Sequence, residues 1–229
     1  MSLSGTGLIA IWHNLQEAVR ADFYEWHNRE HMPERLAVPG FRRGRRYRAL
    51  EGGPEYFNLY ETADVSVLSS PAYLARLNAP TVWTRRVVPG FRDVARALCR
   101  VHASLGVGQG GVMLTQRFAI AATERVRVAT RLADDVLPAI AAQPGITGAH
   151  LCLADEAVSS VATVESVARG TPTLVPTWIV LIEGISAAHV RPSGGQIAAI
   201  LAGATLTVGL DTALYQLENS CAPADAPGL

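Results

Sequence analysis

The chain repeats one residue pattern at a spacing of 105 positions. Pro33 lies six residues before Pro39-Gly40, and Pro138 lies six residues before Pro144-Gly145. Proline ends or kinks a helix and a Pro-Gly pair favours a turn, so each copy predicts the same helix end and the same turn. Self-similarity at a fixed spacing indicates a structural unit that is built twice. The chain must therefore fold into two similar halves.

Each half has the same order of strand-like and helical segments. An apolar run, a helical stretch, two strand-like runs, a second helix and a last strand predict a βαββαβ unit. Pro54 matches Pro176 at an offset of 122, which places about 17 extra residues in the Ala/Val/Ser/Thr-rich segment 155–174 of the second copy. Strand faces that carry Trp, Tyr, Arg and His need a partner sheet. We predict an α+β fold of two tandem ferredoxin-like units, residues 6–106 and 110–218, packed sheet to sheet as an intrachain α+β barrel, with a flexible tail over 219–229.

Charge and composition narrow the classes of function. All 20 basic residues are arginine, which excludes Schiff-base lysine chemistry and the lysine of a phosphate-binding loop. The net charge is zero, which argues against nucleic acid as a partner. No apolar run reaches membrane-spanning length and no secretory signal is recognisable, so we expect a cytoplasmic protein without a membrane partner.

The first copy carries ionisable side chains where the second copy is apolar. His27 and His31 correspond to Leu132 and Val136, so the fold does not need the histidines. At 100° per residue, one face of the helix carries a mixed polar and aromatic set: Phe23, His27, Glu30 and Glu34, flanked by Trp26 and His31. Burying an unpaired imidazole or carboxylate costs roughly 2 kcal/mol or more. These groups should therefore pair with one another or border a cavity.

The functional interpretation of this cluster is acid–base chemistry. A histidine titrates near neutrality, and a carboxylate one helical turn away can orient its ring. We take His27 or His31 as the base, Glu30 as the group that orients it, and Tyr47 or an arginine of the run 42–46 as the stabiliser of a developing oxyanion. Five residues are expected to contact the substrate: Phe23, Trp26, Arg45, Tyr60 and Glu61. Strand alternation places Glu61 on the helix side with Phe57 and Leu59, where it would pair with a histidine or an arginine.

Two other interpretations of the cluster stay open. The polar groups can form a closed hydrogen-bond network that fixes the helix end. His27-Asn-Arg-Glu30-His31 also spells the H-x-x-E-H pattern of inverted zinc proteases. A third protein ligand is hard to place in a half-length unit, so we predict no metal site. A cavity of about 300 Å³ or more beside the histidines would favour an enzyme, and a filled interior would favour the network.

The motifs of the first half resemble a known group of proteins. They read Trp26-His27-Asn28-x-Glu30-His31-x-Pro33-Glu34-Arg35-Leu36, then Pro39-Gly40-Phe41-x-Arg43-Gly44-Arg45-Arg46-Tyr47 and Leu59-Tyr60-Glu61. This pattern resembles the dimeric α+β barrel superfamily, and within it the EthD-like and stress-responsive A/B barrel branch. The resemblance implies ferredoxin-like units that close a barrel, with a ligand cavity between helices and sheet. The second half matches by pattern only, as expected for a tandem duplication with one degenerate copy.

The resemblance also implies a range of activities. Members act as cofactor-free monooxygenases, isomerases, cyclases or decarboxylases on small aromatic or ketonic molecules, and some relatives bind haem, which would make one histidine an axial ligand. We predict a cofactor-free lyase, isomerase or monooxygenase that binds a small apolar or aromatic ligand. The alternative is a non-catalytic binding or stress-related assembly module. Whether two chains also pair as a homodimer stays open.

Overall fold

A single closed barrel of eight strands forms the centre of the molecule. The computed structural model describes residues 2–159, 161–170 and 172–225. The strand order around the barrel is β1-β3-β2-β8-β5-β7-β6-β4, with antiparallel pairing throughout. The strands are β1 (Gly7–Leu15), β2 (Phe41–Glu51), β3 (Tyr56–Thr62), β4 (Phe91–Gly106), β5 (Val112–Ile120), β6 (Ile146–Ala154), β7 (Trp178–Gly184) and β8 (Leu206–Cys221).

The barrel consists of two ferredoxin-like sheets. The first has the order β4-β1-β3-β2 and the second the equivalent order β8-β5-β7-β6. The sheets join where β2 pairs with β8 and where β4 pairs with β6. The predicted fold class is therefore confirmed. Each of the eight strands is paired on both sides, so the closure that the resemblance implies between two chains occurs here within one.

Helices cover the outer faces of both sheets. They are α1 (Arg20–Trp26), α2 (Met32–Leu36), α3 (Pro71–Asn78), α4 (Val82–Val87), α5 (Arg125–Arg131), α6 (Leu137–Ala141), α7 (Glu156–Ser159), α8 (Val164–Ala168) and α9 (Ala187–Leu201). The elements β1, α1, α2 and β2 each begin 105 positions before β5, α5, α6 and β6. The spacing found in the sequence is thus also the spacing of the folded elements.

Both units contain a π-helical turn in their first helix. His27–His31 joins α1 to α2, and Leu132–Val136 joins α5 to α6. A proline follows at the second residue of α2 and of α6, where it cannot donate to the carbonyl four residues earlier. Single π turns often mark functional sites. Because the apolar copy has the same turn, this one belongs to the shared fold.

The barrel interior holds aromatic residues and one buried charge network. Trp12, Phe57, Tyr47 and Tyr215 pack there with side chains of both sheets. Arg45 forms two hydrogen bonds with Glu183, of 2.8 and 3.0 Å, and a 2.9 Å ion pair with Glu61. All three charged side chains are fully buried. Two carboxylates, one from each sheet, therefore share a guanidinium at the centre of the molecule.

The described residues of the segment 155–174, which belongs to the second half, lie over the first unit. We call this segment the arm. Asp155 N–H donates to Leu98 O at 2.8 Å, and Leu174 N–H donates to Val94 O at 2.9 Å, so both ends of the arm are hydrogen-bonded to β4. Between these ends α8 packs against α3, and Val164 N–H donates to Asn78 Oδ1 at 3.1 Å. The surplus residues of the second copy thus cover the first.

The end of the chain continues the barrel. β8 extends to Cys221 and a short 3₁₀ turn covers Pro223–Asp225, so ordered elements continue past residue 219, at which the flexible tail was predicted to begin. Residues 226–229 of that tail lie outside the described residues. Within the described ranges, every helix is too short or too polar to cross a membrane.

Candidate functional site

The two histidines of the first helix face the sheet of their own unit. His27 and His31 are both buried, with ring centroids 5.7 Å apart. Trp26 lies 4.2 Å from His31, centroid to centroid, and Phe23 lies 5.3 Å from His27. Tyr60 of β3 completes the group from the sheet side, 6.4 Å from His31. The structure therefore brings together five of the nine residues predicted for the site.

His27 has a hydrogen-bond partner on each ring nitrogen. Arg46 Nη1 lies 3.2 Å from its Nδ1, and the Tyr60 hydroxyl lies 3.2 Å from its Nε2. Burial, followed by the charge of Arg46, holds the pKa of His27 well below its ordinary value, so the ring is neutral at pH 7. A neutral ring that accepts from arginine at Nδ1 must carry its hydrogen on Nε2 and donate it to Tyr60. The hydroxyl hydrogen of Tyr60 is then free for another acceptor.

His31 differs because its Nδ1 is buried and has no hydrogen-bond partner among the described residues. Burial, and then the positive charges of Arg35 and Arg169, hold its pKa well below the ordinary value. The imidazole is therefore neutral at pH 7 and can keep a lone pair on Nδ1. Of the two histidines, His31 is the one whose ring can accept a proton from a bound molecule.

A divided cavity lies beside these residues, between the helices and the sheet. Each of its two compartments has a volume of about 30 Å³, and both are lined by the same five residues, Ile11, His31, Tyr60, Glu165 and Arg169. The first compartment also has an apolar wall of Trp26, Val88, Phe91 and Val94. This volume holds one or two water molecules. The site in this conformation is much smaller than the 300 Å³ that we set as typical of an enzyme pocket.

Unpaired polar atoms concentrate around the cavity. Besides His31 Nδ1, the buried atoms without a hydrogen-bond partner in the described chain include Arg35 Nη1, Asn58 Oδ1 and Arg169 Nε. Each of these residues lines one or both compartments. An unpaired buried polar atom costs about 1–3 kcal/mol. At this cavity they can be satisfied by water or by the polar groups of a ligand.

Glu30 does not orient a histidine, and that prediction is wrong. Its Oε1 accepts hydrogen bonds from Thr81 Oγ1 at 2.5 Å and Thr84 Oγ1 at 3.5 Å. Both threonines belong to the start of α4, which lies beside the first helix. Glu30 sits on the flank of the helix that faces α4, so it fixes one helix against another.

Three further predicted residues lie on the opposite face of the sheet. Tyr47, Arg45 and Glu61 point into the barrel interior and not toward the histidines. Glu61 does pair with arginines, as expected, through Arg43 at 2.8 Å and Arg45 at 2.9 Å. Its predicted helix-side position is wrong because both faces of a barrel strand are buried, so alternation alone does not identify the face that meets the helices.

Some residues that line the cavity, or that contact a lining residue, were not singled out by the sequence patterns. His13, whose pKa burial lowers to about 3, stacks on Tyr56 at 5.2 Å and lies 2.9 Å from Asn58 Nδ2. Glu165 and Arg169 come from the arm of the second unit. These two residues reach the cavity because of the path that the inserted segment follows. A single sequence does not predict that path. Both His13 and Asn58 could have been found if the strand face that carries residues 56, 58 and 60 had been assigned to the helix side of the sheet.

Metal or haem ligation finds little support in this geometry. Among the described residues, no group of three His, Cys, Asp or Glu side chains could hold a metal ion. Both ring nitrogens of His27 are engaged although His31 Nδ1 is unpaired, and compartments of about 30 Å³ hold neither a porphyrin nor a smaller ring system unless the site opens. The residues present therefore do not fit a haem in this conformation.

Comparison with known proteins gives the fold. The chain matches no protein-family model and no curated protein. Among solved structures, an anthrone oxidase-like protein superposes with a TM-score of 0.66 at 8% identity, over 99% of this chain and 98% of its own. A candidate monooxygenase from Fusobacterium nucleatum gives 0.61 at 7% identity over 96% of both chains, and one from Lactobacillus acidophilus gives 0.57 at 9% over 95% and 97%. The chain has the fold of these proteins. Each alignment spans nearly all of both chains, so the likeness includes both units.

Proposed function

We propose that the chain binds a small, largely apolar ketone or phenol in the helix–sheet cavity of its first unit and transforms it by cofactor-free acid–base chemistry. The observation that carries the proposal is the buried, unpaired Nδ1 of His31 beside a cavity with an aromatic and aliphatic wall. A neutral imidazole with a free lone pair can take a proton from a carbon that is conjugated with a carbonyl group, either next to it or, as at C10 of anthrone, through an aromatic ring. The other unpaired atoms around the cavity offer further contacts to such a ligand.

Tyr60 supplies the second group that this chemistry needs. Because His27 donates to its oxygen, the hydroxyl hydrogen of Tyr60 can be donated to the carbonyl oxygen of the ligand. Burial raises the pKa of Tyr60, so the hydroxyl keeps its hydrogen across the neutral range. When His31 removes the proton, the C–H electron pair moves toward the carbonyl oxygen and Tyr60 stabilises the resulting enolate. Arg46 and His27 act as positioning residues for Tyr60.

The enolate can then isomerise, eliminate a group or react with dioxygen. The fold neighbours are described as monooxygenases and as anthrone oxidase-like, which favours the third course. With anthrone as a probe, one molecule of ketone and one of dioxygen would give one anthraquinone and one water. Dioxygen is the oxidant, and the proton taken by His31 leaves with the water.

The test measures two steps separately with anthrone. Proton removal is followed as exchange of the C10 hydrogens with deuterated solvent, and oxygenation as oxygen uptake. We expect His31→Ala to lower kcat/KM by about 100-fold or more, the usual contribution of a general base. Tyr60→Phe should also lower it by about 100-fold, because the positioned hydroxyl stabilises the negative charge that develops on the oxygen.

The control keeps the number of histidines equal. His102 is exposed on β4, outside both compartments, so His102→Ala should leave both rates unchanged. Exchange and uptake at wild-type rates in both His31→Ala and Tyr60→Phe would refute the proposal.

The alternative function is a non-catalytic binding or assembly module. Two observations favour it: the cavity is small, and both ring nitrogens of His27 already have hydrogen-bond partners. Both are expected of a closed hydrogen-bond network. In that case anthrone, small phenols and lactones should leave the melting temperature of the wild-type protein unchanged. A rise that His31→Ala abolishes would favour the enzyme.

Four finer expectations remain proposals. We propose an EthD-like origin and a tandem duplication, on the strength of the motifs and of the shared spacing of 105 positions. A cytoplasmic location and a further homodimer also stay predictions. A homodimer would have to use the outer helices, because the described barrel strands are already paired on both sides.

A further inference from the structure

The short helix α8 of the arm buries a charged side chain and exposes apolar ones. Its charged residue Glu165 is buried, with 8% of its surface exposed, while Val164 and Val167 are 50% and 71% exposed. Burial of apolar surface would favour the opposite orientation. A polar interaction in the cavity must therefore hold α8 in place.

That interaction is an ion pair with Arg35. The carboxylate of Glu165 accepts a short hydrogen bond from Arg35 Nη2, and Arg35 is only 3% exposed. Arg35 Nη1 makes no hydrogen bond in the described chain and lies 3.6 Å from the carboxylate of Glu34. Arg169 approaches Glu165 from the other side at 3.9 Å. A carboxylate thus sits between two guanidinium groups at the wall that divides the cavity.

The arm is attached in a way that allows α8 to leave. Its ends are hydrogen-bonded to β4, while α8 itself packs against α3 and through Ala168 against a core cluster, and its polar contacts are the ion pair and the bond from Val164 N–H to Asn78. Gly170, just after α8, has a φ of +67° and open space around its Cα, so it can act as a pivot. Glu165 and Arg169 both line each compartment, so their withdrawal would enlarge both.

We infer that Glu165 occupies an anion subsite at Arg35, and that the natural ligand is a small aromatic ketone or phenol that also carries a carboxylate, which displaces Glu165 when the arm opens. The aromatic and aliphatic wall near Trp26 and Phe91 accounts for the ring, and the guanidinium of Arg35 for the charge. This inference rests on the proposed function, because it names the ligand of the same cavity. It also explains why the closed site is small.

The test compares benzoate with the uncharged, similarly shaped benzamide by titration calorimetry. Glu165→Gln removes the internal competitor, so benzoate should bind about tenfold more tightly than to wild type, as expected when the open form rises from about a tenth of the population. Benzamide should gain much less than benzoate. Arg35→Met in the Glu165→Gln background should abolish the preference for benzoate, because it removes the guanidinium that would bind the carboxylate.

A matched control lies on the same arm. Glu156 is exposed in α7, and Glu156→Gln should change neither affinity. Hydrogen exchange gives a second readout: the amides of 163–169 should exchange faster in Glu165→Gln than in Glu156→Gln, and faster in wild type saturated with benzoate.

Two outcomes would overturn the inference and are distinguishable. If benzamide and benzoate tighten equally in Glu165→Gln, the arm is a lid without an anion subsite, and the proposed function stands. If neither compound binds to any variant and exchange over 163–169 does not change, the subsite is refuted, and the anthrone assay alone decides the proposed function.

Discussion

Three buried neutral histidines should make the protein sensitive to mild acid. Burial lowers the pKa of His13 to about 3 and those of His27 and His31 well below the ordinary value of 6.5. Between these values the unfolded chain binds a proton at each histidine and the folded chain does not, so the free energy of unfolding falls as the pH falls below 6.5. The stabilisation is complete above pH 6.5 and is lost progressively toward the folded pKa.

The magnitude follows from the proton affinity of the unfolded chain. From pH 7.5 to pH 5.0, a histidine with an unfolded pKa of about 6.5 that stays neutral when folded loses about 2 kcal/mol of stabilisation. The three together lose about 6 kcal/mol, which is comparable with the whole stability of a typical domain. Glu34, whose pKa burial raises, works in the opposite direction and reduces the sum.

Urea unfolding at the two pH values, followed by tryptophan fluorescence, measures this difference. The second unit suggests the variants, since it has Leu132 and Val136 where the first has His27 and His31. His31→Val should reduce the pH-dependent loss by about 2 kcal/mol, one histidine's share. His102→Gln, at an exposed position, should leave the loss unchanged. A wild-type difference below about 2 kcal/mol would refute the assignment of three neutral buried imidazoles.

Two other perturbations address the barrel interior. Arg45→Met leaves two buried carboxylates facing each other and should destabilise the fold by about 3–5 kcal/mol or prevent folding; Glu183→Gln, which leaves Arg45 paired with Glu61, should cost less in the same urea assay, and the reverse order would contradict the network. The three cysteines should differ toward a thiol reagent, because two are fully buried with raised pKa values and the third is partly exposed at the end of β8. One thiol should react in native protein and three in denaturant, and rapid native labelling of all three would show that the barrel opens. The cysteines are Cys99, Cys152 and Cys221.

The fold could be predicted from the sequence because the same residue pattern occurs twice in the chain. Pro33 and Pro138 mark equivalent helix ends, and the offset of 105 positions predicts equivalent strands and helices in the two halves, which the structure contains. The helix face was also predictable, since Phe23, His27 and His31 lie together as the 100° spacing requires.

The rest of the site was less accessible to pattern reasoning. Closing the barrel buries both faces of each strand, so Glu61 and Tyr47 could not be assigned to a face from alternation. Glu30 lies on the edge of the helical arc, and its partner depends on where α4 packs. Glu165 reaches the cavity from 130 positions beyond Arg35, through an insertion whose path no local rule specifies.

Covalent linkage of the two units permits a division of labour that a symmetric assembly cannot have. In a symmetric pair of identical chains, a segment that covers the cavity of one chain also covers that of the other. A histidine present in one chain is likewise present in its partner. Here one unit keeps the imidazoles while the other contributes the covering segment. Each unit can therefore change at positions that the other holds constant, and the one cavity is bordered by residues of both units.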